Sequence, residues 1–121
     1  MEHVRAAGRR IAIATNKAER LTEGLVQKLG LHRYIELVVG PESVARRKPD
    51  PEPVERIPAF WRVGPDRTLL IGDTADDIHA GRAAGTLTVG ALYGYGTERE
   101  IRAAGPDQVI RSIRELASLI T

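Results

Sequence analysis

A chain of 121 residues is long enough for one domain with a genuine core, and 42% apolar against 28% charged residues makes it globular, not disordered. Without cysteine there are neither disulfides nor thiolate chemistry, which fits a cytoplasmic setting, and a net charge of +2 with dispersed arginines offers no clustered basic face for nucleic acid. No apolar stretch approaches the roughly 20 residues of a membrane helix, and the start, MEHVRAAGRR, lacks the apolar heart of a signal peptide.

RIAIAT, residues 10–15, is a short, partly β-branched apolar run that reads as a buried strand. KAERLTEGLVQKLG follows, with Leu21, Leu25 and Leu29 at helical spacing and Gly30 as a stop. IELVVG is a second strand, closed by Gly40 and Pro41. KPDPEPV cannot be a central strand, because three prolines remove ladder donors; it reads as the approach to a helix with Pro51 or Pro53 in the first turn. RTLLIGD is a third strand, DDIHAGRAAG a helix opened by acids and ended by Gly85, and TLTVGAL a fourth strand. Beyond the glycine-rich YGYGT come a short helix over residues 98–103, a candidate edge strand DQVI, and RSIRELASLI, in which Ile113, Leu116 and Ile120 make one apolar face. Strands alternating with helices predict parallel βαβ units in an α/β, Rossmann-like, doubly wound sheet, one domain over residues 1–121. Ligands in such sheets sit beyond the carboxyl ends of the strands. Thr15 and Asp73 both fall there.

Four stretches carry candidate chemistry. In GDTADD, Asp73 ends a strand and Asp77 lies in the first turn of the next helix, so both carboxylates can reach one crevice. Hard oxygen ligands at this density suit Mg²⁺, which takes one or two carboxylates and fills its other positions with water and phosphate. Capping does not account for Asp73, whereas Asp76 reads as an N-cap or first-turn acid. In IAIATNK, a hydroxyl at Thr15 with the amides of Asn16 and Lys17 opening a helix makes either an oxyanion cradle or an ordinary helix cap. Lys48 is one of three lysines against fifteen arginines, held on a stiff proline segment. It suits a point charge aimed at phosphate, or else solvated surface. Gly94 and Gly96 let the YGYGT backbone turn where side chains could not, as a loop at the rim of the crevice.

Together IAIATNK, KPDPEPV, LLIGDTADDIHAGRAAG and YGYGT, in this order over residues 4–119, resemble the haloacid dehalogenase-like superfamily, and within it the phosphoglycolate phosphatase group. The resemblance implies a Mg²⁺-dependent phosphatase of small phosphorylated metabolites. It implies that Thr15 binds the transferring phosphoryl group, that Asn16 lies beside it, and that Lys48 offsets its charge. It implies Asp73 and Asp77 as the acids that hold Mg²⁺.

Such phosphatases attack with an aspartate at the end of the first strand, in a D-x-D-G-T-type motif, with a second aspartate as acid/base. Here the aspartates are 50, 66, 73, 76, 77 and 107, and no two are separated by one residue. The central first strand and the cap domain of the resembled fold are likewise missing from these residues, and Met1 corresponds to the helix leading back from the cap. A fragment of a longer enzyme, a shortened reading frame and a genuine product all fit. The resemblance therefore implies a family while the chain alone is expected to be inactive. The alternative is a non-catalytic phosphate- and Mg²⁺-binding module, or a subunit completed by another chain. In the implied strand order the absent strand lies between RIAIAT and RTLLIGD. Those two strands are expected either to close on each other or to find a partner in a second chain, with a homo-oligomer favoured.

Overall fold

A computed structural model describes residues 9–30 and 32–115. Among these residues five strands alternate with four helices, and every strand pairing is parallel. Strand β1 (Ile11–Ala14) pairs with β2 (Ile35–Val39), and the ladder continues into Thr15, whose N–H donates to Val39 O at 2.9 Å. Strand β3 (Leu69–Gly72) pairs in register with β4 (Leu87–Ala91), and β4 with β5 (Gln108–Ile110). The short apolar runs thus became strands, and the edge strand expected in DQVI is present.

The sheet is in two parts, β1–β2 and β3–β4–β5. Among the described residues no ladder joins β1 to β3. Direct closure of these two strands, one of the expected outcomes, is not what the fold does. The consequence shows in burial. All four residues of β1 are only half-buried, against the expectation of a buried strand, and Ile71 of β3 is 41% exposed. Helix α2 (Glu52–Trp61) packs on β1 and β2, helix α3 (Ala75–Ala84) on β3 and β4, and the two helices pack on each other. The halves are therefore joined by helices, not by backbone pairing.

Helix α1 (Glu19–Lys28) forms where leucine spacing predicts it, but that stripe does not face the core. Leu21, Leu25 and Leu29 are exposed, while Thr22 and Val26, one position further round, are buried. Thr22 can be buried because its hydroxyl donates to Ala18 O at 3.2 Å. Helix α2 begins with Pro51 at its N-cap and Pro53 in its first turn, where a missing N–H costs nothing. Helix α3 ends at Gly85 with φ of +84°, the left-handed conformation that favours glycine at this position. Helix α4 (Glu98–Ala103) has Thr97 as its N-cap, its hydroxyl accepting from Glu100 N–H at 3.1 Å.

Among the described residues the core includes two apolar clusters, Val54, Ala80 and Ala84 with Leu70, and Val89, Ala91 and Ile110 with Leu69, together with the fully buried Ile78 and Ile101. Asp107 fastens β5 to β4, its Oδ2 accepting from Thr88 N–H at 2.8 Å and Thr88 Oγ1 at 3.2 Å. The expected apolar face of a terminal helix, Ile113, Leu116 and Ile120, lies outside the described side chains; Ile113–Glu115 forms one 3-10 turn. No helix among the described residues is long and apolar enough to cross a membrane.

Candidate active site at the mouth between the half-sheets

The carboxyl ends of β1 and β3 open toward each other, and Lys48 reaches across that opening. Its Nζ donates to Ala14 O, the last residue of β1, at 2.9 Å. The same nitrogen donates to Asp77 Oδ1, at the start of α3, at 2.6 Å. With side chains only 12% and 14% exposed, the Lys48–Asp77 pair is shielded from water, where Coulomb attraction is stronger and an unpaired charge is costly. An ammonium has three donors. Two are used here, leaving one N–H that no described residue takes up.

The segment carrying Lys48 is fixed on both sides. Asn16 reads the Lys48 backbone as a paired peptide would: Oδ1 accepts from Lys48 N–H at 3.2 Å, and Nδ2 donates to Lys48 O at 3.3 Å. Glu52 grips the preceding turn, its Oε1 accepting from Ala45 N–H and Arg46 N–H at 3.1 Å each. Asp50 in turn accepts from Glu52 N–H at 2.9 Å. The Lys48–Pro49 peptide bond is cis. The role of Glu52 was not visible as spacing. The only sequence sign is an acid six residues after Arg46 in a segment too proline-rich to satisfy its own amides.

Thr15 sits at the end of β1, and its Oγ1 accepts from Lys17 N–H at 3.0 Å. The cradle expected from the amides of Asn16 and Lys17 is therefore not open as such, because the Lys17 amide is already used. Moreover, α1 starts only at Glu19. The neighbouring loop is pinned instead by acids. Glu42 Oε1 caps α1 by accepting from Glu19 N–H at 3.0 Å, and Glu19 accepts from Gly40 N–H at 2.9 Å and from Ser43 Oγ. The Ser43 hydroxyl, then the Gly40 amide, hold the Glu19 carboxyl below its ordinary value of 4.5.

Asp73 and Asp77 are brought together, with different duties. Asp77 spends Oδ1 on Lys48 and accepts Asp73 N–H on Oδ2 at 3.1 Å. Asp73 accepts Tyr95 N–H on Oδ2 at 3.2 Å, and no described residue bonds to its Oδ1. Asp76 is exposed in the first turn of α3, while Thr74 is the N-cap, accepting Asp77 N–H at 3.3 Å. Among the described residues no group of three or more acids or histidines gathers as a metal cage. The donor set nonetheless fits a hard cation in one way. Lys48 neutralises Asp77, so Asp73 is the uncompensated carboxylate with an oxygen to spare, and Mg²⁺ needs only one or two carboxylates when phosphate and water complete its shell.

Comparison with known proteins places this geometry. The family model for haloacid dehalogenase-like hydrolases matches residues 1–91. The phosphoglycolate phosphatase of Nitrosococcus oceani is 34% identical over 118 residues, covering 98% of this chain and 52% of its own length. That of Thiobacillus denitrificans is 36% identical over 121 residues, covering 100% of this chain and 53% of its own. The chain thus spans about half the length of the curated relatives it matches. A crystal structure of a predicted phosphoglycolate phosphatase from Haemophilus somnus 129pt superposes with a TM-score of 0.93 at 26% identity, over 99% of this chain and 53% of that one. CbbY from Rhodobacter sphaeroides shares the fold, with a TM-score of 0.84 over 95% of this chain and 52% of its own. Sequence profile and fold agree, and the chain belongs to the haloacid dehalogenase-like hydrolase family.

Proposed function

We propose that this chain carries the phosphate- and cation-handling part of a Mg²⁺-dependent phosphatase of small phosphorylated metabolites, with phosphoglycolate the leading candidate substrate. The observation that carries the reading is the seat of Lys48: a shielded ammonium stretched across the mouth, with one N–H left over for an anion. The names of the relatives support the substrate class. In this reading Lys48 offsets phosphoryl charge, Thr15 turns its hydroxyl proton toward a phosphoryl oxygen, and Asn16 holds Lys48 in place. Asp73 takes the cation, with Asp77 acting through Lys48 and through the Asp73 amide. Mg²⁺ bound there would neutralise charge on the transferring group. A cytoplasmic setting belongs to the same reading and rests on composition.

No residue among these 121 is assigned the nucleophilic step, since the first aspartate is Asp50, in the proline segment. The chain alone is therefore expected to hydrolyse p-nitrophenyl phosphate or phosphoglycolate no faster than buffer containing Mg²⁺. Turnover that disappears in Asp73→Asn would overturn this. Inorganic phosphate, titrated with Mg²⁺ present, should bind weakly and lose that binding in Lys48→Met; unchanged binding would remove the main support.

The second reading is a non-catalytic module, or a subunit completed by another chain, and the inner edges of β1 and β3, which no described strand pairs, favour it. A second copy pairing along these edges is the form we propose. Light scattering should then give twice the mass of one chain at high concentration, and a single-chain mass throughout would rule the self-pairing out.

A further inference from the structure

We propose that the turn formed by Gly94, Tyr95 and Gly96 is a positioning element for Asp73, and that both glycines serve to bring its backbone onto that residue. The proposal rests on the reading of Asp73 as the cation ligand. Successive amides of the turn hold Asp73 at two points. Tyr95 N–H donates to carboxylate Oδ2 at 3.2 Å, and Gly96 N–H donates to the main-chain O at 2.8 Å. A Cβ on Gly94 would overlap the Asp73 carboxylate, and a Cβ on Gly96 would stand 2.5 Å from Asp73 O. Two glycines flanking one residue therefore clear space for the same neighbour. Their backbone angles are not the reason, because the left-handed glycines are Gly30, Gly85 and Gly105.

The side chain between them contributes no packing: Tyr95 is 96% exposed. What the turn supplies, it supplies through its main chain. Asp73 has need of such a hold. It follows β3, which among the described residues has a strand on one side only, so no described strand fixes it from the other. With Oδ2 held by Tyr95 N–H and the main chain held by Gly96 N–H, the carboxylate has one orientation, and Oδ1 is the oxygen left for a cation. Accurate placement of a ligand by its outer partners commonly decides metal affinity by factors of about 10–100.

The test is a titration of the 121-residue chain with Mg²⁺ alone, followed by the ¹H–¹⁵N shifts of the backbone amides. The Tyr95 and Gly96 signals should move with added Mg²⁺, and Gly94→Ala and Gly96→Ala should each weaken the affinity about tenfold or more. Gly90→Ala is the control for general loosening, because its new methyl collides with Ile101 in the same half of the fold and touches nothing at Asp73. It should keep the wild-type affinity. Wild-type affinity in both turn variants, or an equal loss in Gly90→Ala, would overturn the proposal. If no amide of the wild-type chain responds to Mg²⁺, the cation reading of Asp73 falls, and the positioning claim is judged without metal. Asp73→Ala should then move the Tyr95 amide upfield, since its acceptor is gone, and leave Gly96, bonded to the main chain, in place. A Tyr95 amide that does not move would refute it.

Discussion

Strands β3 and β5 lie on either side of β4, and their isoleucines have opposite fates. Ile110 of β5, the outermost strand, is 2% exposed, whereas Ile71 of β3, at the inner edge, is 41% exposed. Chemistry does not separate the two residues; neighbours do. Ile110 packs on Val89 and Ala91 in a closed cluster. Ile71 pairs with Val89 of β4 on one side and, among the described residues, borders the opening between the half-sheets on the other. Among the described residues β3 and β5 each pair only with β4, so what separates the two isoleucines is the cover over the side chain and not the number of paired strands. Strand β1 repeats the lesson from the other side, with no residue fully buried.

The largest effect expected from this contrast is an asymmetry in core truncation. Ile110→Ala should lose about 2–4 kcal/mol in urea denaturation, the usual cost of emptying an enclosed site. Ile71→Ala should lose under about 1 kcal/mol, because its side chain already meets water. Equal losses would mean that the β3 edge is covered in solution, which is what a second copy seated there would do. The pair of variants therefore also reports on self-pairing. Water reaching the half-exposed strands can satisfy their free backbone groups, so an open edge costs less than the about 1–3 kcal/mol per group that burial would impose.

The next effect concerns what ties the halves together. Lys48 bonds to β1 on one side and to α3 on the other. Lys48→Met leaves Asp77 shielded without its counter-ion and should cost about 2 kcal/mol, somewhat below the loss for a fully buried pair. Lys48→Met combined with Asp77→Asn should recover part of that stability while phosphate binding stays lost. No recovery in the double variant would mean that the bond to Ala14, not the ion pair, holds the halves.

The alternation of strands and helices was legible in the chain because period, proline and glycine punctuation are local. Residues 98–103, Gly30, Gly85 and the proline-led start of α2 all stand where they were expected. What was not legible depended on distant neighbours. Leu21, Leu25 and Leu29 announce a helix but not which face meets the sheet, and Thr22 takes the buried position by bonding to its own helix. Gly94 and Gly96 announce a turn, but their reason is Asp73, about twenty residues earlier in sequence. Hydrogen bonds link Asn16 to Lys48, Lys48 to Asp77 and Asp77 to Asp73, yet spacing could not show that Asn16 clamps the Lys48 backbone, or that Asp77 is committed to the lysine.

The smallest effect separates the halves by pH. The Glu19 carboxyl is held below its ordinary value of 4.5 by the Ser43 hydroxyl and the Gly40 amide, and through them it fastens the loop after β2 to the start of α1. A depressed folded-state pKa means that the unfolded chain binds the proton first. The stabilisation is therefore fully present above the ordinary value and drains away as pH falls through the lower folded value. In the β3–β4–β5 sheet the Thr88 amide is held by Asp107 on a fully buried residue, so it needs a larger opening to reach water. As pH falls below about 4.5, the protection of the Gly40 amide, taken relative to its intrinsic exchange rate at each pH, should drop before that of Thr88. Glu19→Gln should flatten the Gly40 response and leave Thr88 as it was. Simultaneous loosening at both amides in the wild-type chain would show that the two half-sheets open as one unit, despite the missing ladder between them.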